Sequence, residues 1–281
     1  MLGSVVTRKI VVLGDPSVGK TSIIKRYVHN QFEENYVATL GFNIYTRYID
    51  ISEKQVGLSI WDIGGQEAFK MFAFKYLIEA DAAIFVADVT KPDSISSLEK
   101  WNERLDKVIN RQIPKIVLFN KIDLDYNMEN VSNQVAQSDI RTEFNGIVFA
   151  SAKTGQNIVD IFSMLANLLT NWEEEFGIIN KKTVNVDGVF DDKNLPILFF
   201  SGDDCSLCPP TFDNIAKLTA EFPLSIKLIN VDTSGEMAKK YGIFSLPTVI
   251  IGNTTVVGNS SKEMLRLIIS DEYNRFFSLK D

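Results

Sequence analysis

The stretch "GDPSVGKT", Gly14 to Thr21, decides how the first half of this chain folds. It follows the apolar run "KIVVL" and precedes an amphipathic one, so it reads as the loop of a strand–loop–helix unit, in the pattern G-x-x-x-x-G-K-[ST]. Its glycines let the backbone wrap an anion. The N–H groups from Asp15 through Pro16, Ser17, Val18, Gly19, Lys20, Thr21 and Ser22 then surround phosphate oxygens at a helix N-terminus, less the one donor that Pro16 lacks. Lys20 is expected to reach the β- and γ-phosphates, and the Thr21 hydroxyl to bind Mg²⁺.

Outward from this loop, "KIVVLG", "TRYIDI", "VGLSIWD", "AAIFVAD", "KIVLFN" and "GIVFAS" read as six strands. Helical periods lie between several of them, over Ser94 to Asn110 and Gln156 to Thr170. Alternation of this kind predicts an α/β fold: a mostly parallel six-stranded sheet covered on both faces. Residues 1–177 form this unit, and polar, turn-rich residues 178–193 read as a linker. Residues 194–281 form a smaller α/β unit: strand "PILFFS", helix Pro209 to Glu221, strand "LSIKLINVD", helix Ser234 to Tyr241, strands "PTVII" and "TTVVG", and a helix from Ser261. Trp101, Trp172 and the many Phe residues read as core.

The bulk composition narrows the function classes. At 281 residues, 45% hydrophobic and 23% charged, the chain is an ordinary globular protein of two-domain length. A formal net charge of −7 without a basic block gives nucleic acid nothing to bind. No apolar run is long enough to cross a bilayer, and the first residues do not show the charged-then-apolar pattern of a leader, so secretion is not expected. Leu2 and the ending "FFSLKD" offer no lipid anchor motif, so a cytoplasmic location is expected. A single histidine, His29, limits a Ser-His-Asp triad to that one position, and with Cys205 and Cys208 it makes too few ligands for a closed zinc site.

Four further stretches, in order, give the first unit a resemblance to the Ras superfamily of small GTPases, closest to its Rab- and Arf-like members, over residues 8 to about 172. "VATLGFN" supplies Thr39, similar to the switch threonine that completes Mg²⁺ coordination. "WDIGGQE" resembles the next box: the resemblance implies that Asp62 holds Mg²⁺ through water, that the Gly65 N–H contacts the γ-phosphate, and that Gln66 orients the attacking water. "NKID" resembles the guanine-reading box, with Asp123 accepting from the base and Asn120 and Lys121 bracing the loop. "SAK" resembles the last box, in which Ser151 to Lys153 pass the base and the Ala152 N–H donates to its carbonyl. Phe32 and Tyr36 occupy the positions of an aromatic against the base and a tyrosine over the phosphates. The resemblance implies GTP and GDP as ligands, Mg²⁺ as cofactor, slow hydrolysis, and regulator and effector proteins as partners. Pro16 departs from it, standing where many relatives carry Gly or Ser.

A second constellation lies far downstream, in "DDCSLCPP". Cys205-Ser206-Leu207-Cys208-Pro209 falls between strand and helix, and "SLPT" places Pro247 before a later strand. Together they resemble the thioredoxin superfamily over roughly residues 194 to 278, in which that proline is cis and lies against the disulfide. The resemblance implies Cys205 as the attacking thiol, Cys208 as the resolving one, and thiol proteins as substrates. Asp203 and Asp204 oppose a thiolate beside them, and Phe199 stands where a buried acid is found in thioredoxins. Three readings stay open: a GTPase switch coupled to a redox unit, a dithiol oxidoreductase with a GTPase docking unit, and a GTPase carrying an inert binding module.

Overall fold

The run before the phosphate loop becomes strand β1 (Val6–Leu13), and the loop feeds helix α1 (Lys20–His29). The remaining strands are β2 (Phe42–Ile51), β3 (Lys54–Ile63), β4 (Ala82–Asp88), β5 (Lys115–Asn120), β6 (Gly146–Phe149), β7 (Leu195–Ser201), β8 (Leu224–Asn230), β9 (Thr248–Ile251) and β10 (Thr254–Val257). The remaining helices are α2 (Pro92–Asp106), α3 (Met128–Ala136), α4 (Ile158–Phe176), α5 (Cys208–Leu218), α6 (Gly235–Tyr241) and α7 (Lys262–Ser278). This computed structural model describes residues 6–33, 39, 41–51, 54–64, 76–109, 111–138, 143–176, 194–243, 245–258 and 260–278, with the side chains of α4 described through residue 170. The linker and the Trp172 side chain lie outside them.

Local chemistry sets the helix ends. Pro92 opens α2 at a position where its missing N–H costs nothing. The Asn127 side chain caps α3 by accepting from the Asn130 N–H at 3.1 Å. Asn30, in the left-handed region, closes α1. Two expected helices are shorter at their C-termini: α2 stops at Asp106 rather than Asn110, and α5 runs from Cys208 to Leu218 rather than from Pro209 to Glu221.

All six expected N-terminal strands form, but the sheet does not end with them. One sheet of ten strands runs in the order β2-β3-β1-β4-β5-β6-β10-β9-β7-β8. β1, β3, β4, β5 and β6 are parallel and β2 is antiparallel at the rim. The expected six-stranded sheet is corrected at β6, whose outer side pairs in parallel with β10 through Thr255↔Gly146, Val256↔Ile147 and Val257↔Val148. The reason is an edge left open. All four residues of β6 are buried, so its unpaired backbone groups need a partner, and β10 supplies it.

The core follows the sheet. On one face Phe85, Trp101, Phe119, Phe149 and Ile147 pack in one cluster with Phe199, Cys208, Ile215, Val249, Val256 and Leu265, which passes from the N-terminal strands to the C-terminal ones without a break. The other face, under α1 and α4, is packed by Ile10, Val12, Ile24, Ile60, Val148, Phe162 and Leu165. Each fully buried side chain of this size contributes about 1.5–3 kcal/mol. The seam between the halves is therefore core, as are Trp101 and the buried Phe residues.

Candidate functional site

The loop from β1 to α1 passes through positive φ at Ser17 (64°) and Gly19 (100°). A Cβ on Gly19 would lie 2.3 Å from Asn120 Nδ2, so only glycine fits where the loop crosses the end of β5. Lys20 Nζ donates to the Gly14 carbonyl at 2.7 Å and to the Asp15 carbonyl at 2.9 Å. Burial brings its pKa down to about 8, against the opposing charges of Asp62 and Asp15. Val18 is buried in the core, Ser22 sits half-buried in the first turn of α1, and Pro16 is exposed at the loop tip.

Three oxygen side chains converge beside the loop. Thr21 Oγ1 donates to Asp62 Oδ2 at 2.6 Å and lies 2.7 Å from Thr39 Oγ1. Asp62, at the end of β3, is fully buried, and burial pushes its carboxyl above the usual carboxylate range despite the Thr21 hydrogen bond and nearby lysines. Its Oδ1 has no hydrogen-bond partner among the described residues. Two hydroxyls and a buried carboxylate with a spare oxygen form a hard-oxygen set suited to a small divalent cation such as Mg²⁺.

The loops after β5 and β6 meet beside the first loop. Asn120 Nδ2 donates to the Val18 carbonyl at 2.9 Å, and Asn120 Oδ1 accepts from the Ala152 N–H at 3.1 Å. One amide thus braces two loops. Lys121 Nζ donates to the Ser17 carbonyl at 2.9 Å and pairs with Asp88 Oδ2 at 2.6 Å. Ser151 Oγ donates to Asp123 Oδ1 at 2.6 Å, aligning an otherwise exposed carboxylate. Lys153 is exposed, and Phe32 is half-buried against the α1 side of the core. Tyr36, Gly65 and Gln66 lie outside the described residues.

Three residues join the site without a signal in the sequence. Arg26 bonds the Ala152 carbonyl through Nε at 2.9 Å and the Lys153 carbonyl through a terminal nitrogen at 2.7 Å. Asp88 receives Lys121, as above. Trp101 donates its indole N–H to Asp15 Oδ1 at 2.9 Å. Each contact spans residues far apart in sequence, which no local pattern records.

Cys205 and Cys208 are joined by a disulfide in the turn after β7. Cys205 lies three residues ahead of α5 and is half-buried, while Cys208 is the first residue of the helix and is buried. The Leu246–Pro247 peptide is cis. A Cβ on Gly202 would meet Leu246 Cδ1 at 2.8 Å, so the segment before β9 packs on the start of the cysteine turn. The Asp203 carboxylate accepts from Asn230 Nδ2 at 2.7 Å, Asp204 is exposed, and Phe199 is fully buried.

The first site has a phosphate loop, a buried lysine, a cation-suited oxygen set and a carboxylate aligned for a base, which together define a nucleotide-binding P-loop protein. The Ras family pattern matches residues 9–171. The chain is 36% identical to the Ras-related protein Rab7 of Drosophila melanogaster over 61% of its own length and 84% of that protein. It is 37% identical to Rab-7b of Bos taurus over 57% of its length and 80% of that protein, and 36% identical to RABG3b of Arabidopsis thaliana over 57% and 82%. This chain belongs to the Ras family. It is a Rab7-like small GTPase switch that binds GTP and GDP with Mg²⁺, and GTPases of this family hydrolyse GTP and act through regulators and effectors. No helix among the described residues is long and apolar enough to cross a membrane.

Proposed function

We propose that this Rab-like GTPase carries a second chemical centre: a thioredoxin-like unit at residues 194–281, joined through residues 178–193 to a GTPase unit at 1–177. In this reading its Cys205–Cys208 pair exchanges disulfides with thiol proteins of the cytoplasm. The observation that carries it is the disulfide itself, set between β7 and α5 in the strand arrangement β10-β9-β7-β8, with Pro247 before β9. β7 and β8 are parallel, and β9 is antiparallel to both β7 and β10, an arrangement that supports this reading.

In the nucleotide site, the backbone from Asp15 to Ser22 cradles the phosphates while Lys20 moves from its own loop carbonyls to the β- and γ-phosphates. Thr21, Thr39 and Asp62 would hold Mg²⁺, which would supply charge neutralisation on those phosphates. Asp123 accepts from guanine, Ala152 donates to its carbonyl, and Phe32 and Tyr36 flank base and phosphates. Gln66 and the Gly65 N–H position the attacking water and the γ-phosphate. No arginine is assigned to the phosphates, Arg26 being engaged with the Ala152 and Lys153 carbonyls, so turnover on the order of 10⁻⁴ to 10⁻² s⁻¹ is expected, slowed further by Gln66→Leu.

In the second centre the Cys205 thiolate attacks a substrate disulfide, forming a mixed disulfide and releasing one substrate thiol. The Cys208 thiolate then attacks Cys205 Sγ, releasing the second and leaving the Cys205–Cys208 disulfide two electrons more oxidised. An external dithiol returns it to the thiol form. Cys205 is half-buried and Cys208 buried, which supports this division of roles. Cys208→Ser is expected to trap mixed disulfides visible on non-reducing gels, and Cys205→Ser to trap none. A wild-type pair that never interconverts with glutathione or a dithiol reductant overturns the redox reading and leaves a binding module.

A further inference from the structure

The loop that reads the base and the segment that packs on the cysteine turn are attached to each other. After Ala152, the loop closes through Gly155 N–H to the Ser151 carbonyl at 2.9 Å and Ser151 N–H to the Gln156 carbonyl at 3.1 Å. It ends at Asn157, held at φ 58°, whose Nδ2 donates to the Phe149 carbonyl at 2.7 Å. Gly258, just past β10, lies against this side chain: a Cβ there would come within 2.9 Å of Asn157 Nδ2, and its φ is +95°. The Gly258 N–H donates to the Pro247 carbonyl at 2.9 Å.

A second attachment lies two residues before Pro247. Asp160, in the first turn of α4, is hydrogen-bonded by the Ser245 side chain. Ser245-Leu246-Pro247 is thus fastened at Ser245 to Asp160, three residues past the end of the base-reading loop, and at Pro247 to Gly258, which lies against Asn157 at that end. Its middle residue, Leu246, meets Gly202, whose carbonyl accepts the Cys205 N–H at 3.2 Å.

We propose that this three-residue segment links the two centres, so that guanine occupancy and the oxidation state of Cys205–Cys208 bias each other. The proposal rests on the dithiol reading above. Oxidation of the pair passes two electrons and two protons to a disulfide-bearing partner, which leaves as two thiols. Opening the disulfide releases the turn on which Leu246 sits, and ordering the base loop fixes the residues to which Ser245 and Pro247 are fastened. The segment is the element that both events bias. Because the segment reaches the base loop through Gly258 and Asn157 and not through the phosphate loop, the link follows the guanine and is equal for GDP and GTP. Linkage is reciprocal: the factor by which reduction changes nucleotide affinity is the factor by which nucleotide changes the dithiol equilibrium.

The test measures GDP and GTP-analogue affinity of the full chain, with Mg²⁺, in the disulfide form and after reduction by excess dithiol, with thiol titration to verify conversion. The expected result is a change of about fivefold or more, the same for both nucleotides. The matching shift in the reduction potential on saturation with GDP is about 20 mV. Ser245→Ala, which leaves the Pro247–Gly258 bond in place, is expected to bring the ratio closer to one while retaining nucleotide binding, and the double variant Cys205→Ser, Cys208→Ser to ignore reductant. Should Ser245→Ala fail to fold, as judged by thermal melting, Asp160→Asn reads the same contact. Full conversion of the thiols with unchanged affinity overturns the link and spares the dithiol reading. A ratio that differs between GDP and the GTP analogue overturns the route through the base loop. A pair that does not open under reductant overturns both.

Discussion

The Trp101 indole N–H donates to Asp15 Oδ1 at 2.9 Å, tying α2 to the phosphate loop at the residue whose carbonyl also accepts from Lys20. The tryptophan does two jobs, filling core and positioning a loop. Trp101→Phe keeps most of the apolar contact and removes the donor, leaving a part-buried carboxylate oxygen short of a partner. A loss of about 1–3 kcal/mol in loop order is expected, read as roughly five- to 150-fold faster release of a fluorescent GDP analogue. Unchanged release would show that Asp15 is held without the indole.

Asp123 is exposed but aimed by Ser151. Replacing it with Ala removes the acceptor for the base and is expected to cost about 1.5–3 kcal/mol in GDP affinity, with little effect on ADP. Competition binding of the two nucleotides checks this, and equal losses for both would break the assignment of Asp123 to guanine.

Chelation of Mg²⁺ by EDTA is expected to speed GDP release, because Asp62 is buried with a spare oxygen that a bound cation and its shell would satisfy. Asp62→Asn keeps the hydrogen bond from Thr21 and removes the charge, so its release rate is expected to be faster at the outset and less responsive to EDTA. An EDTA response equal to that of the wild type would place the cation elsewhere.

Burial pushes the Asp160 carboxyl above the usual carboxylate range, outweighing the Ser245 hydrogen bond, which lowers it. The unfolded chain holds such a group at about 3.8. Between that value and the raised one the folded state binds more protons, so this group's contribution to stability is full at low pH and is lost as pH rises through the folded value. Asp160→Asn is expected to flatten that slope in denaturant melts taken from pH 4 to pH 7. Parallel curves for the two proteins would count against a raised pKa.

Much of this was legible in the sequence, for reasons that particular residues make clear. The Gly14–Thr21 pattern, the apolar runs of β1 and β4, and the motifs that carry Asp62, Asn120, Asp123 and Ser151 are local signals, and the fold brings the loops that carry these residues together. Arg26, Asp88 and Trp101 gave no such signal, since their partners lie elsewhere in the chain. The junction of β6 with β10 was illegible for a different reason. A strand's composition tells which faces are apolar, but not which edge lacks a neighbour. The helix expected from Pro209 starts one residue earlier, at Cys208, just after a turn closed by the Cys208 N–H on the Cys205 carbonyl.

The pairing of Gly146 with Thr255 also sets an order of events during synthesis. β6 leaves the ribosome with one side paired and the other bare, and its partner follows only after a delay of roughly 5–20 s at ordinary elongation rates. A bare, apolar edge is a template for any passing strand. A chain cut after α4 is accordingly expected to self-associate through β6, which light scattering beside the full-length protein would register. In the intact chain the C-terminal strands act as a built-in guard for that edge.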